Sequence, residues 1–219
     1  MTEKASATKI ELYGGAITST IPSGFVDVSN FRQVPDTQEV FVCDRDGYDD
    51  SVVFDIMERV EGDDVEAVKE HLNELSVLNS VGQDYITLQL TRVDMKKQKL
   101  DNSTELQPPC YLSVAVEPSK KWGREEAAKD DPTGSVKPLV VLVMAVIRLE
   151  NVTSDILLTY NIPIRTQQEI TDLEALVKDK ESLSNNDEIP PVGQRINSVR
   201  QQVVHSLQAF TVEDWSLFG

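Results

Sequence analysis

The chain has 219 residues, of which 40% are hydrophobic and 26% are charged, and its formal net charge is −16. This composition predicts a soluble globular protein with a buried core and excludes an intrinsically disordered chain. The negative charge disfavours nucleic acid or an anionic membrane as the direct partner, because both repel an acidic surface. It favours a basic protein surface instead, unless the charge serves solubility alone.

The first nine residues are polar and predict a flexible N-terminus without the apolar stretch of a secretory signal peptide. The longest apolar run, residues 139–147, is too short to cross a membrane. The two cysteines, Cys43 and Cys110, lie in apolar, strand-like runs. They are typical of reduced core residues, so we expect a cytosolic or nuclear protein without disulfides.

Residues 10–21 predict an N-terminal β-hairpin, because two alternating runs flank Gly14-Gly15, which supplies the positive φ angles of a tight primed turn. Later strands are predicted from alternation or from short β-branched runs, and helices from apolar residues at steps of three and four. The later strands are predicted over residues 38–43, 51–60, 85–93, 110–116, 139–149 and 156–162. Helices are predicted over residues 28–33 (capped by Asp27 or Ser29 and ended by Pro35), 65–75 (capped by Gly62-Asp63-Asp64), 167–178 and 193–210. Loops are expected over residues 44–50, 120–134 and 182–191.

The two most apolar runs, residues 139–149 and 156–162, predict paired central strands that are buried on both faces. Such strands need helices on both sides of the sheet, and mostly short connections favour antiparallel pairing. There is no internal repeat and no long linker. We therefore predict one α+β domain over residues 10–219. It is a three-layer α/β/α sandwich with a largely antiparallel sheet of about six strands and the N-terminal hairpin.

Motifs for catalysis or cofactor binding are absent: the chain has no phosphate loop, no dinucleotide fingerprint and no nucleophile elbow. His71 and His205 stand alone on predicted helices, which favours packed or surface histidines over metal ligands. The acidic loop 44–50 is superficially similar to a calcium loop, but Asp49 takes the place of its required glycine. Neither cysteine has a histidine close in sequence, which leaves only a spatial neighbour as a catalytic partner. We predict a binding protein rather than an enzyme, with no cofactor and no metal.

A candidate binding surface lies in the stretch VPDTQEVFV, residues 34–42, where a turn opened by Pro35 enters an apolar strand. Asp36 and Glu39, with Arg32 nearby, surround this turn. A stiff turn loses little entropy on binding, and its carboxylates would seek Lys or Arg on a partner. Alternatively, Asp36 bonds its own backbone and Glu39 stays solvated, which local physics alone favours.

Several segments together resemble the Ran guanine nucleotide release factor family, small nuclear import factors that bind the GTPase Ran, and most of all a fungal member. The resemblance covers nearly the whole chain from about Ile10. It is carried by Leu12-Tyr13-Gly14-Gly15-Ala16-Ile17, Pro22-x-Gly24-Phe25, Val34-Pro35-Asp36-Thr37-Gln38-Glu39-Val40-Phe41, Leu72-x-Glu74-Leu75, Lys121-Trp122-Gly123, Ile147-Arg148-Leu149, Thr153-Ser154-Asp155-Ile156 and Asp214-x-Ser216-Leu217-Phe218.

The resemblance implies the three-layer fold shared with the PsbP proteins of photosynthesis, and a non-catalytic regulator, monomeric alone, that promotes release of guanine nucleotide from Ran. It further implies support of nuclear protein import, and residence in the nucleus with a cytoplasmic pool. The acidic pair Asp36 and Glu39 is implied to belong to the Ran-binding surface. The neighbouring candidates for that surface are Arg32, Pro35, Thr37 and Gln38.

Two other functions remain open at this point. In the first, the protein is an adaptor whose contact with Ran recruits other proteins, and nucleotide release is incidental. In the second, it binds a metal or cofactor as PsbP-like proteins do, which rests on fold alone and is weak, because fold does not carry function. The role of Lys121-Trp122-Gly123 is also open between a partner anchor and packing onto the sheet.

Overall fold

The computed structural model describes residues 7–45, 48–101, 103–121, 124–125, 130, 133, 136–180, 183 and 189–219. The strands within these residues are β1 Ala7–Leu12, β2 Ile17–Pro22, β3 Val26–Asp27, β4 Gln38–Arg45, β5 Tyr48–Glu58, β6 Ile86–Arg92, β7 Gln98–Lys99, β8 Glu105–Leu106, β9 Cys110–Pro118, β10 Lys120–Lys121, β11 Arg124–Glu125, β12 Leu139–Leu149, β13 Ser154–Ile164 and β14 Thr211–Val212. The α-helices are α1 Asp64–Leu78, α2 Gln167–Lys178 and α3 Pro191–Ala209.

The main sheet has seven strands in the order β3-β4-β5-β13-β12-β9-β6, and every neighbouring pair is antiparallel. The predicted antiparallel sheet is therefore confirmed. It has one strand more than expected, because the two-residue strand β3 extends the edge beyond β4. Such a short strand carries too little sequence pattern to be recognised.

The central strand β12 is buried on both faces, as its apolar run predicts. Val141, Val143 and Ala145 face a core that includes α2 and α3, whereas Leu142 and Met144 face α1. Successive side chains of a strand point to opposite faces, so a continuous apolar run is what two helical layers require. The three-layer α/β/α arrangement is confirmed.

A second, three-stranded sheet of order β1-β2-β14 packs with the α3 side of the core. The predicted hairpin is confirmed, but its tight primed turn is wrong. The last paired residues are Leu12 and Ile17, so the connection has four residues, 13–16. Gly14 and Gly15 have the expected positive φ angles of 66° and 94°. Strand β1 already begins at Ala7, within the segment expected to be a flexible N-terminus.

The predicted helix over residues 28–33 is wrong in length, since only Val28–Asn30 forms a helix, a single 3-10 turn. Asp27 is its cap, and its Oδ1 accepts a hydrogen bond from the Ser29 amide at 2.8 Å. One capped turn and a longer helix begin with the same residues, so the cap alone does not predict where the helix ends.

The predicted acidic loop 44–50 is also wrong for most of its length. Its described residues extend β4 and β5 as a hairpin, with Asp44 paired to Asp49 and Arg45 to Tyr48. Ladder hydrogen bonds join backbone groups, so charged side chains do not prevent them. The motif residues Trp122 and Gly123, and most of the expected linker 182–191, lie outside the described residues.

Both cysteines are buried and free, as predicted for reduced core residues. Burial raises the pKa of the Cys110 thiol to about 12, which makes it a poor nucleophile. No helix in the described part of the chain is long and apolar enough to cross a membrane.

Candidate functional site

The turn before β4 forms the centre of the candidate site. The Gln38 amide donates to the Pro35 carbonyl at 2.9 Å, which closes a β-turn over Asp36 and Thr37. Pro35, Asp36 and Thr37 are exposed, whereas Gln38 and Glu39 are half-buried. Residues 35–37 are thus accessible to a partner, whereas Gln38 and Glu39 are partly enclosed by the protein.

Glu39 faces the N-terminal hairpin and fixes the turn to it. Its Oε1 accepts a hydrogen bond from the Tyr13 amide at 2.7 Å. The Tyr13 hydroxyl donates to the Thr37 carbonyl at 3.0 Å. Tyr13 has a φ of 52°, a left-handed conformation that is unfavourable for a residue with a side chain. In the hairpin connection, both the amide and the hydroxyl of Tyr13 therefore bind the turn and the residue that follows it.

Gln38 fixes the turn to the opposite face of the sheet. Its Nε2 donates to Asp55 Oδ2 at 2.6 Å, and the two residues are paired across β4 and β5. Asp55 is 7% exposed, and burial raises its pKa, while the hydrogen bond from Gln38 partly offsets this effect. The Ile56 amide donates to the Thr37 carbonyl at 2.9 Å. The turn is held from both faces of β4.

Asp36 is different from its neighbours, because its carboxylate has no hydrogen bond or ion pair with any residue that the structure describes. The alternative in which Asp36 bonds its own backbone is therefore wrong. Glu39 is not freely solvated either, since it binds Tyr13. Of the acidic pair, Asp36 is available to a partner, and Glu39 offers only its second oxygen.

Exposed apolar side chains flank this turn, and sequence patterns did not single them out. Phe31 is 77% exposed, and Val26 on β3 is 48% exposed. Arg32 is exposed as well. An aromatic residue within the polar stretch SNFRQ was the available signal for Phe31, but exposure is not encoded in local pattern. We name Phe31, Arg32, Pro35, Asp36 and Thr37 the turn surface.

A second polar cluster is completely buried, close to the connection between β12 and β13. Arg148 and Asp155 are paired across these strands, and Arg148 Nε lies 2.9 Å from Asp155 Oδ1. His71 Nε2, on α1, lies 2.8 Å from Asp155 Oδ2. The Val60 amide also donates to Asp155, and Arg148 reaches the Val60 carbonyl and Asp64. We name Arg148, Asp155 and His71 the buried triad.

The buried triad has a structural role. It joins α1 and the connection before it to the sheet, and His71 is the packed histidine that its position next to the apolar face predicted. His205 is exposed on α3. Within the described residues, no group of three or more histidine, cysteine or acidic side chains has the arrangement of a metal site.

Comparisons with known proteins agree on one family. The sequence model of the family described as Ran-interacting Mog1 protein matches residues 10–163. The chain is 31% identical to the nuclear import protein MOG1 of Saccharomyces cerevisiae over 221 residues, which cover 96% of this chain and 84% of that protein. It is 28% identical to the Ran guanine nucleotide release factor of Homo sapiens over 158 residues, which cover 69% of this chain and 74% of that one.

The solved structures agree with the sequence relatives. The crystal structure of the Saccharomyces cerevisiae Ran-binding protein Mog1p superposes with a TM-score of 0.71 at 30% identity, covering 99% of this chain and 100% of that one. A point mutant of protein Mog1 gives a TM-score of 0.68 at 29% identity, covering 98% and 100%. The similarity therefore extends over nearly the whole fold.

Proposed function

Because the chain belongs to the Ran-interacting Mog1 family, we propose that it binds the GTPase Ran, promotes release of guanine nucleotide from it and supports nuclear protein import. Relatives from animals and from Dictyostelium discoideum carry the name Ran guanine nucleotide release factor or its probable form, and the yeast relative is named a nuclear import protein. The protein acts by binding rather than by catalysing a reaction of its own.

The observation that carries the proposal is the state of Asp36. A carboxylate without a partner among the described residues, on a turn held from both faces of β4, is ready to pair with a cation of another molecule. Little side-chain or backbone order is lost when a fixed turn binds, so more of the ion-pair energy appears as affinity. A partner with Lys or Arg at its binding surface suits this arrangement.

The proposed Ran-binding surface consists of Asp36 and Glu39 with Pro35, Thr37, Gln38 and Arg32, to which Phe31 is added from its exposure. Within it, Asp36 contacts Ran directly and Phe31 supplies apolar contact area. Gln38 holds the turn through Asp55. Glu39 holds the turn through Tyr13 and offers its remaining oxygen to Ran.

Nucleotide release follows from thermodynamic linkage. A regulator that binds nucleotide-free Ran more tightly than nucleotide-bound Ran weakens nucleotide affinity by the same factor. Asp36 and Glu39 produce this difference by pairing with basic groups near the nucleotide site of Ran, for which the phosphates of the nucleotide compete. The functional unit is one domain over residues 10–219, and it is monomeric when alone. It resides in the nucleus with a cytoplasmic pool and makes no direct contact with nucleic acid or membrane.

The test measures dissociation of a fluorescent guanine nucleotide from preloaded Ran. Addition of the wild-type protein is expected to accelerate dissociation, and the variant Asp36→Lys/Glu39→Lys is expected to abolish the acceleration. A matched control is Glu174→Lys, an exposed residue on α2. Because Glu39 also binds Tyr13, the single variant Asp36→Lys is measured beside the double variant.

The outcomes separate the proposal from its alternatives. Acceleration by the wild type that survives in a folded Asp36→Lys variant would show that the turn surface is not the contact. Binding to Ran without any acceleration would support the adaptor function, in which nucleotide release is incidental. If neither binding nor acceleration is observed, the proposal is wrong.

A further inference from the structure

A cavity lies between α3 and the edge of the main sheet formed by β6 and β9. Its volume is about 620 Å³, within the usual range for small-molecule sites. Val93, Leu112 and Val204 line part of it, and Arg200 and His205 on α3 line another part. Strands β9 and β6 lie at the opposite end of the main sheet from β3 and β4. The cavity is therefore separate from the turn surface.

Arg200 is held in place at the wall of this cavity. Its Nη1 donates to Asn197 Oδ1 at 2.8 Å, and Asn197 Nδ2 donates to the Leu183 carbonyl at 3.1 Å. Arg200 Nε is buried and has no hydrogen-bond partner. The guanidinium is therefore fixed in orientation, and its enclosed Nε–H finds no acceptor in the described part of the chain.

Among the described residues, Arg200 also has no carboxylate that compensates its charge. Burial lowers the pKa of its guanidinium, and none of these residues acts in the opposite direction. None of the described residues that line the cavity is acidic, although the chain as a whole has a net charge of −16. A partly desolvated cation without an anion is costly, and an anionic ligand would remove that cost.

We propose that this cavity binds a small monocarboxylate with an apolar body. The planar carboxylate pairs with the guanidinium of Arg200 at the cavity wall, because a guanidinium matches a carboxylate in its fork geometry. The apolar body packs against Val93, Leu112 and Val204. One guanidinium and an apolar wall suit a single negative charge better than the multiple charge of a phosphate.

The test uses octanoate, with octanamide as the uncharged analogue and inorganic phosphate as an anion without an apolar body. Binding is followed by NMR on the purified full chain, through the Nε–H signal of Arg200. Octanoate is expected to bind with a Kd of about 1 mM or tighter and to shift this signal. Octanamide and phosphate are expected to bind at least about 10-fold more weakly.

Variants provide a second and independent readout. Arg200→Met keeps an unbranched side chain but removes the charge, and it is expected to weaken octanoate binding by about 10-fold or more. Arg92→Met removes the same charge from an exposed residue of β6 that does not line the cavity, and it is expected to leave binding unchanged. Equal binding of octanamide and octanoate, or an octanoate Kd above about 10 mM, would overturn the proposal even if Arg200→Met does not fold.

Discussion

Asp155 lies at the beginning of β13 and Asp36 lies in the turn before β4, and their carboxylates have opposite environments. Asp155 is 0% exposed and is bound by Arg148, His71 and the Val60 amide. Asp36 is exposed and has no described partner. Glu39 lies between these extremes, half-buried and bound through one oxygen to Tyr13.

This difference separates charges that hold the fold from charges that serve binding. Removing one member of a buried, ion-paired group leaves its partners desolvated and unpaired, so stability is lost. Removing an exposed and unpaired carboxylate changes little in the folded chain. Both kinds lie within the motifs that carry the family resemblance. Their presence in a motif therefore does not reveal their role, whereas their partners do.

The largest expected effect comes from breaking the buried triad. Arg148→Met leaves Asp155 buried with a reduced set of partners, and we expect a loss of about 3–5 kcal/mol in the free energy of unfolding. Urea denaturation followed by circular dichroism measures it. A loss below about 1 kcal/mol would mean that the triad does not stabilise the fold and would erase the contrast with Asp36.

An intermediate effect is expected at Glu39. Glu39→Ala removes the charged acceptor of the Tyr13 amide, and we expect a loss of about 1.5–3 kcal/mol in the same experiment. Glu11→Ala, an exposed position on β1, is the matched control and should stay within about 0.5 kcal/mol of wild type. If the two variants are equally stable, Glu39 belongs with Asp36 as a purely exposed charge.

Phe31 tests whether the turn surface extends beyond its carboxylate. Phe31→Ala is expected to weaken Ran binding by about 10-fold, because exposed aromatic side chains commonly dominate interfaces, and to leave stability within about 0.5 kcal/mol. Leu78→Ala is the control, since Leu78 is 72% exposed at the end of α1. Calorimetric titration with Ran measures both. Equal affinities of the two variants would restrict the surface to its charged residues.

The smallest expected effect is the pH dependence caused by Asp55. Burial raises its folded-state pKa above the unfolded value, so the folded state holds the extra proton between the two values. The free energy of unfolding therefore falls as the pH rises through that interval. Asp55→Asn keeps an acceptor for Gln38 and does not titrate. The free energy of unfolding of Asp55→Asn minus that of the wild type should increase from pH about 4 to about 7. A constant or shrinking difference would contradict the raised pKa of Asp55.

Local sequence pattern predicted the parts of the fold that depend on burial. The bounds of β12 and α2 agree with the predicted residues 139–149 and 167–178, because an unbroken apolar run and an apolar stripe each identify one element. The exposed turn at Asp36 was also predicted, since turn chemistry is local. A single capped turn after Asp27 was mistaken for a longer helix, because both begin alike.

Contacts between distant segments could not be predicted from pattern. Tyr13 and Glu39 are 26 residues apart in sequence, and their hydrogen bond depends on how the hairpin packs against β4. Asp55 was overlooked because a single acidic residue in an apolar strand does not reveal its partner, Gln38. The cavity beside Arg200 requires α3 and the sheet edge to be placed together, which no local signal encodes.

The most direct test of the account measures Ran affinity and unfolding on the same Asp36→Ala protein. We predict that Kd for Ran increases by about 10-fold or more, as expected for loss of an interfacial ion pair. The free energy of unfolding should stay within about 0.5 kcal/mol of wild type. Unchanged affinity, or a loss of stability above about 1 kcal/mol, would contradict the claim that the fold keeps Asp36 free for its partner.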